Sequence, residues 1–242
     1  MCVEYKTHNL KTKLEDEVKL QDHCVDKDGG IYLRYGWRVH LHHTATCNHL
    51  SINVQEATLH NQQVLTSPCT LTASQSPPHP CTRNLFIVNK YSGEGPVSGG
   101  YVRYDDVISL TSLPGIGGNL NVTSEKRRPS FFKKWRHNDV TMTSQVDEGA
   151  CGWKLVDVEG EQDGRDNRVR VDDNLYISHC KTNGQLTVLS GQNVRTPFGF
   201  EMEVVARPLV GCGKDDTPDD YWQIRTSLPS VNDHSFATTL AV

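Results

Sequence analysis

Several clusters in this chain hold residue types that could do chemistry. The densest is His40-Leu41-His42-His43, followed closely by Cys47 and His49. Imidazoles and thiolates ligate zinc, but a zinc site needs three or four of them converging. Alternate residues of a strand share a face, so His40 and His42 go together while Leu41 points to the core. Both histidines are therefore expected to face outward, as a solvated or interface surface, with no metal site. His179-Cys180 is the second candidate, as a nucleophile with its base. Adjacent strand residues point to opposite faces, so the two cannot readily pair, and no Gly-x-Ser-x-Gly elbow occurs elsewhere. Leu113-Pro114-Gly115-Ile116-Gly117-Gly118 is glycine-rich but lies between strand signals, where a turn is expected. A phosphate loop would have to open a helix.

The stretch from Ser124 to His137 is more informative. Lys126, Arg127, Arg128, Lys133, Lys134 and Arg136 stand against Glu125, a local charge of +5 in a chain of net charge -4. Phe131, Phe132 and Trp135 interleave with them. Such a segregated patch reads as a contact surface for an acidic protein, with Lys126, Arg127, Arg128, Lys133, Lys134, Trp135 and Arg136 as the partner-binding residues. Basic residues among aromatics also suit single-stranded nucleic acid, and a solvated hairpin with its aromatics folded back on the protein is the plain alternative. The acidic overall balance weighs against a general nucleic-acid binder.

These residues must be held by elements that composition already describes. The 242 residues include 24 Val and 20 Thr but 7 Ala, which favours pleated sheet over helix. With 19 Gly and 11 Pro for turns, an all-β protein is expected. Tyr35, Val39 and Leu41 have the spacing of Tyr104, Ile108 and Leu110, and again of Val171, Leu175 and Ile177, at intervals of 69 and 67 residues. Second strand signals follow at Leu50-Ser51-Ile52, Leu120-Asn121-Val122 and Leu186-Thr187-Val188. Third ones lie at Cys69–Thr72, Val140–Thr143 and Met202–Val205, and fourth ones open on Phe86, Trp153 and Trp222. This pattern predicts a β-trefoil, three pseudo-repeats of four strands with long loops, closing on one another because no single unit covers its own apolar face.

Leu10, Leu14 and Val18 add the spacing of a short amphipathic helix. The expected organisation is an N-terminal extension at 1–29, a β-trefoil domain at 30–227 and a C-terminal tail at 228–242. No apolar run approaches the length of a membrane helix, and no secretory signal is expected at Met1-Cys2-Val3. The eight cysteines include no Cys-x-x-Cys pair, so free thiols in a reducing compartment are expected.

Five segments carry a resemblance. They are Tyr35-Gly36-Trp37-Arg38-Val39, Thr82-Arg83-Asn84-Leu85-Phe86-Ile87-Val88, Ser178-His179-Cys180-Lys181-Thr182-Asn183, the run from Phe198 to Ala206, and Tyr221-Trp222-Gln223. In this order and spacing the chain resembles the cilia- and flagella-associated protein 161 family from about Gly30 to Ser227, while the first 29 residues depart from it. The resemblance implies a non-enzymatic structural protein of the axoneme, in the cytoskeleton of cilia and flagella. It would bind α/β-tubulin on the lumenal wall of the A-tubule, beside other microtubule inner proteins, and stabilise the doublet. No cofactor, metal, nucleic acid, membrane or small-molecule substrate is implied. The alternative is a secreted or luminal β-trefoil that binds glycans, although no Trp here has Gln two residues before it.

Overall fold

A computed structural model describes residues 31–53, 68–75, 81–91, 100–114, 119–125, 137–144, 149–158, 167–208 and 220–226. Their strands are β1 (Arg38–His43), β2 (Asn48–Ile52), β3 (Cys69–Ser74), β4 (Phe86–Lys90), β5 (Val107–Ser112), β6 (Asn121–Glu125), β7 (Asn138–Thr143), β8 (Trp153–Asp157), β9 (Asn174–His179), β10 (Gly184–Thr196), β11 (Gly199–Pro208) and β12 (Trp222–Arg225). All pair antiparallel within one sheet. That sheet closes on itself through β1–β4, β4–β5, β5–β8, β8–β9, β9–β12 and β12–β1. The hairpins β2–β3, β6–β7 and β10–β11 join one another through β3–β7, β7–β11 and β11–β3.

Each strand of the closed ring sends alternate residues inward, as the period of two requires. Val39 and Leu41, Phe86 and Val88, Ile108 and Leu110, Trp153 and Leu155, Leu175 and Ile177, and Trp222 and Ile224 are all fully buried. Burying an aliphatic or aromatic side chain of this size stabilises the fold by about 1.5–3 kcal/mol. The indoles carry a polar group inside and satisfy it: Trp153 Nε1 donates to Val122 O and Trp222 Nε1 to Leu186 O, each at 2.9 Å.

One end of the ring is sealed by Leu33, Val102 and Val169, all fully buried. Their backbones form a closed triangle. Leu33 N donates to Val169 O, Val169 N to Val102 O, and Val102 N to Leu33 O, each at 2.9 Å. The chain then turns through Gly36, Asp105 and Asp172, all with positive φ, a conformation open to Gly and tolerated by Asp.

The all-β expectation stands, but the β-trefoil of three pseudo-repeats is corrected to a single closed antiparallel barrel. No four-strand unit is self-contained, since β1 closes on β12 and β3 takes β7 and β11 as neighbours. Nor are the units equivalent. β10 and β11 run 13 and 10 residues with a register shift between Leu189 and Asn193, against 5 and 6 residues for β6 and β7. Spacing along the chain marks where strands lie, but hydrogen-bond partners and strand lengths are set in three dimensions. No helix occurs among the described residues, and the expected helix at Leu10–Val18 lies outside them.

Candidate interaction surface

The structure corrects the placement of the histidines. Leu41 points inward as expected, and His40 and His42 share the opposite face, but that face is covered: they are 3% and 8% exposed. His42 stands opposite His49 in the β1–β2 ladder, with ring centroids 4.9 Å apart, and His40 lies 5.6 Å from the same ring. Burial, then the neighbouring charges of His49 and Arg225, push His40 down to about 4 and His42 to about 3. Burial and Arg225 lower His49 to about 4. The three rings are therefore neutral at neutral pH. His43 packs on Trp222 at 4.9 Å and bonds Thr46 Oγ1 at 2.9 Å, while Cys47 is exposed on the turn. Among the described residues no three His, Cys, Asp or Glu side chains converge as a metal-binding set.

His179 and Cys180 do diverge. His179 is buried against the Trp153 ring at 4.7 Å, with Nδ1 2.8 Å from Thr182 Oγ1 and Nε2 2.9 Å from Ala150 O. Cys180 is exposed, and partial burial pushes its thiol up, the opposite of nucleophile activation. Cys47, Cys69, Cys81, Cys151 and Cys180 take part in no disulfide. The glycine-rich run falls between β5 and β6, with Leu113 and Pro114 described. The basic stretch Lys126, Arg127, Arg128, Lys133, Lys134, Trp135 and Arg136 lies outside the described residues. In the chain it falls between β6 and β7, which are in register up to Glu125↔Asp139.

The structure assembles a second cationic surface that no linear run reveals. The sealing residues Leu33, Val102 and Val169 are each flanked by side chains directed away from the core: Tyr32 and Arg34, Tyr101 and Arg103, Arg168 and Arg170. Isolated bridges pair Tyr32 with Arg170, Arg34 with Tyr101 and Arg103 with Arg168, so the six form one crown. Arg34 lies 4.1 Å over the Tyr101 ring and donates from Nη2 to Tyr101 Oη at 2.7 Å. Arg168 lies 3.8 Å over Tyr32 and 4.7 Å from the Tyr101 centroid, and the two phenol rings meet edge-on at 6.1 Å. The signal was present in sequence as three short Tyr/Arg–apolar–Arg triplets, centred on Leu33, Val102 and Val169. None of them is conspicuous alone.

A buried ion pair was also missed. The Arg83 guanidinium bonds Glu201 through Nη1 and Nη2, at 2.7–2.9 Å, and donates from Nε to Ile52 O at 3.1 Å. Thr72 Oγ1 donates to the second Glu201 oxygen at 2.7 Å, and the Phe198 ring packs 4.0 Å from the guanidinium. The pair holds β11 close to the turn of the long β10–β11 hairpin, where Glu201 stands opposite Val194 and the neighbouring Phe200 is left 77% exposed. Gly191 and Gly199 on that hairpin, at φ +90 and +117, have open space around them.

No family model matches the chain. Among curated proteins it is similar to cilia- and flagella-associated protein 161 of Danio rerio, 31% identical over 159 residues, which is 64% of this chain and 52% of that protein. The Mus musculus protein of the same name is 30% identical over 167 residues, 67% of this chain and 54% of that one. The chain spans about half the length of the curated relatives it matches. Among solved structures, a Caenorhabditis elegans protein of unknown function superposes with TM-score 0.58 at 14% identity, covering 84% of this chain and 99% of that one. An SDF2-like protein from Arabidopsis thaliana gives 0.56 at 15% identity, covering 80% and 94%. These structural likenesses concern the fold alone.

Proposed function

We propose, on the premise that this chain is a relative of cilia- and flagella-associated protein 161, that it is a non-enzymatic structural component of cilia or flagella. The similarity to proteins so named is the observation that carries a ciliary role. The finer reading is that the chain binds tubulin on the lumenal wall of the A-tubule and stabilises the axonemal doublet. A closed barrel carrying the long β10–β11 hairpin suits a place between lattice subunits. Cationic surfaces, on the loop between β6 and β7 and on the arginine crown, suit an acidic partner lattice. Among the described residues, the chemically capable groups lie in packing roles: His40 and His179 are buried and Cys180 is not activated.

The test is fractionation of axonemes from ciliated cells expressing the tagged full chain. Retention on doublets through high-salt extraction is expected for an enclosed protein. Complete release by salt, or residence in compartments other than the cilium, overturns the reading. Substituting Lys126, Arg127, Arg128, Lys133, Lys134 and Arg136 with Gln should lower doublet occupancy, and unchanged occupancy rules out that loop as a contact.

A further inference from the structure

We infer that the turn end of the β10–β11 hairpin docks this chain onto a protein surface of the doublet, with Phe200 entering an apolar pocket and Arg195 meeting a carboxylate at its rim. The inference rests on the ciliary reading and names the part of the chain that makes the contact. Phe200, Met202, Val204 and Ala206 alternate along β11 and so share one face. Val204 and Ala206 are buried in the core and Met202 packs against it. At Phe200 the same face has run past the interior, and this ring is the large apolar side chain left exposed among the described residues. Arg195 stands directly opposite Phe200 in the ladder, on the same face. It is exposed and has no side-chain partner among the described residues.

The buried pair that braces the hairpin also turns this ring outward. The Arg83 guanidinium holds both flanking residues, Glu201 through bonds of 2.7–2.9 Å and Phe198 by stacking at 4.0 Å. Adjacent strand residues point to opposite faces, so directing Glu201 at Arg83 directs Phe200 away from it. Thr196 Oγ1 closes the turn, donating to Gly199 O and accepting from Phe198 N, each at 3.1 Å. A ring presented on so fixed a base loses little entropy on binding. Aromatic and arginine side chains are also the commonest carriers of interface energy. Between Ser190 and Met202 the charged residues are Arg195 and Glu201, and Glu201 is already neutralised by Arg83. The remaining charge is positive, which selects a partner with carboxylates. A lipid surface fits less well, because lasting attachment to anionic lipid takes several basic residues or a second anchoring group.

The experiment co-expresses the full-length parent and a full-length variant, under two tags, in ciliated cells. Their ratio on isolated doublets is compared with their ratio in the cytosol. Phe200→Ser and Arg195→Glu should each be depleted on doublets roughly tenfold or more relative to the parent. Arg195→Lys, which keeps the charge, should be depleted less than Arg195→Glu. Both side chains are exposed, so the purified variants should melt with the parent, and if one melts lower the other decides. A parent absent from doublets overturns the ciliary reading and this inference with it. A parent on doublets, with a stable Phe200→Ser or Arg195→Glu incorporated in equal ratio, overturns the inference alone. Binding of the purified parent to phosphatidylserine vesicles that is lost in Phe200→Ser assigns the hairpin to a membrane and equally overturns it.

Discussion

Replacing Glu201 with Gln tests whether the buried pair near the turn of the β10–β11 hairpin is a working part of the fold. The side chains of Arg83 and Glu201 are 6% and 4% exposed, so neither charge has water to fall back on. Gln keeps the shape and one acceptor, but its amide turns donors towards a guanidinium and towards Thr72 Oγ1, which now donates to Glu201 at 2.7 Å. Removing one partner of a buried pair leaves the other uncompensated, which costs about 3–5 kcal/mol. For a barrel of this size each kcal/mol corresponds to about 2–4 °C, so Glu201→Gln should melt roughly 6–20 °C below the parent. Arg83→Met should lose a comparable amount, leaving Glu201 alone beside Thr72. Arg83→Met/Glu201→Leu, which removes both charges, should recover most of the loss, because apolar replacements of buried pairs are often neutral. Calorimetry or urea denaturation of the four proteins closes the thermodynamic cycle. A drop below about 2 °C in Glu201→Gln, or a double variant no better than the singles, would refute the reasoning.

The histidine strip predicts a pH dependence. Burial lowers His40 and His49 from 6.5 to about 4 and His42 to about 3, so between pH 6.5 and about 4 the unfolded chain binds protons that the folded chain refuses. Stability should therefore fall as pH drops through that window, by up to about 1.4 kcal/mol per pH unit for each histidine, and a urea midpoint constant from pH 7 to 5 contradicts this. Gly184→Ala should cost about 1–3 kcal/mol, because a Cβ there would lie 3.2 Å from the Ala206 backbone carbon and Cβ; a neutral denaturation midpoint would show that the β10–β11 ladder yields freely. With an aromatic disulfide reagent, exposed Cys47 and Cys180 should react in the native protein, while buried Cys69, Cys81 and Cys151 wait for unfolding. Burial pushes Cys69 up to about 11, and fast reaction at that thiol would contradict its placement.

The strands were legible because they are local. Leu41, Leu50, Leu110, Val122, Leu155, Ile177, Leu186 and Ile224 follow a period of two and occupy core positions. The period says which side chains oppose the core, but not whether a further layer covers them. His40 and His42 were therefore expected in solvent and lie buried. Arg83 and Glu201 are 118 residues apart, and nothing in their own neighbourhoods announces a partner. The resemblance did single out both segments, and the ion pair gives a packing reason for their residues. The basic run from Lys126 to Arg136 was visible because its charges are contiguous. The crown was invisible because its charges come two and one at a time from segments that only the closed barrel gathers.

The seam between β1 and β12 sets a timetable for the chain's birth. His43 pairs with Trp222, 179 residues downstream, and Leu41 with Ile224. At about 5–20 residues per second of synthesis, β1 waits roughly 10–40 s for the strand that completes its edge. Throughout that interval Val39 and Leu41 have no finished interior, and an unpaired strand edge is available to other nascent chains. The barrel can therefore close only late, and slowly, because its closing contacts are remote in sequence. A ribosome-bound chain stalled before Trp222 should remain a client of holding chaperones, however native its first strands already are.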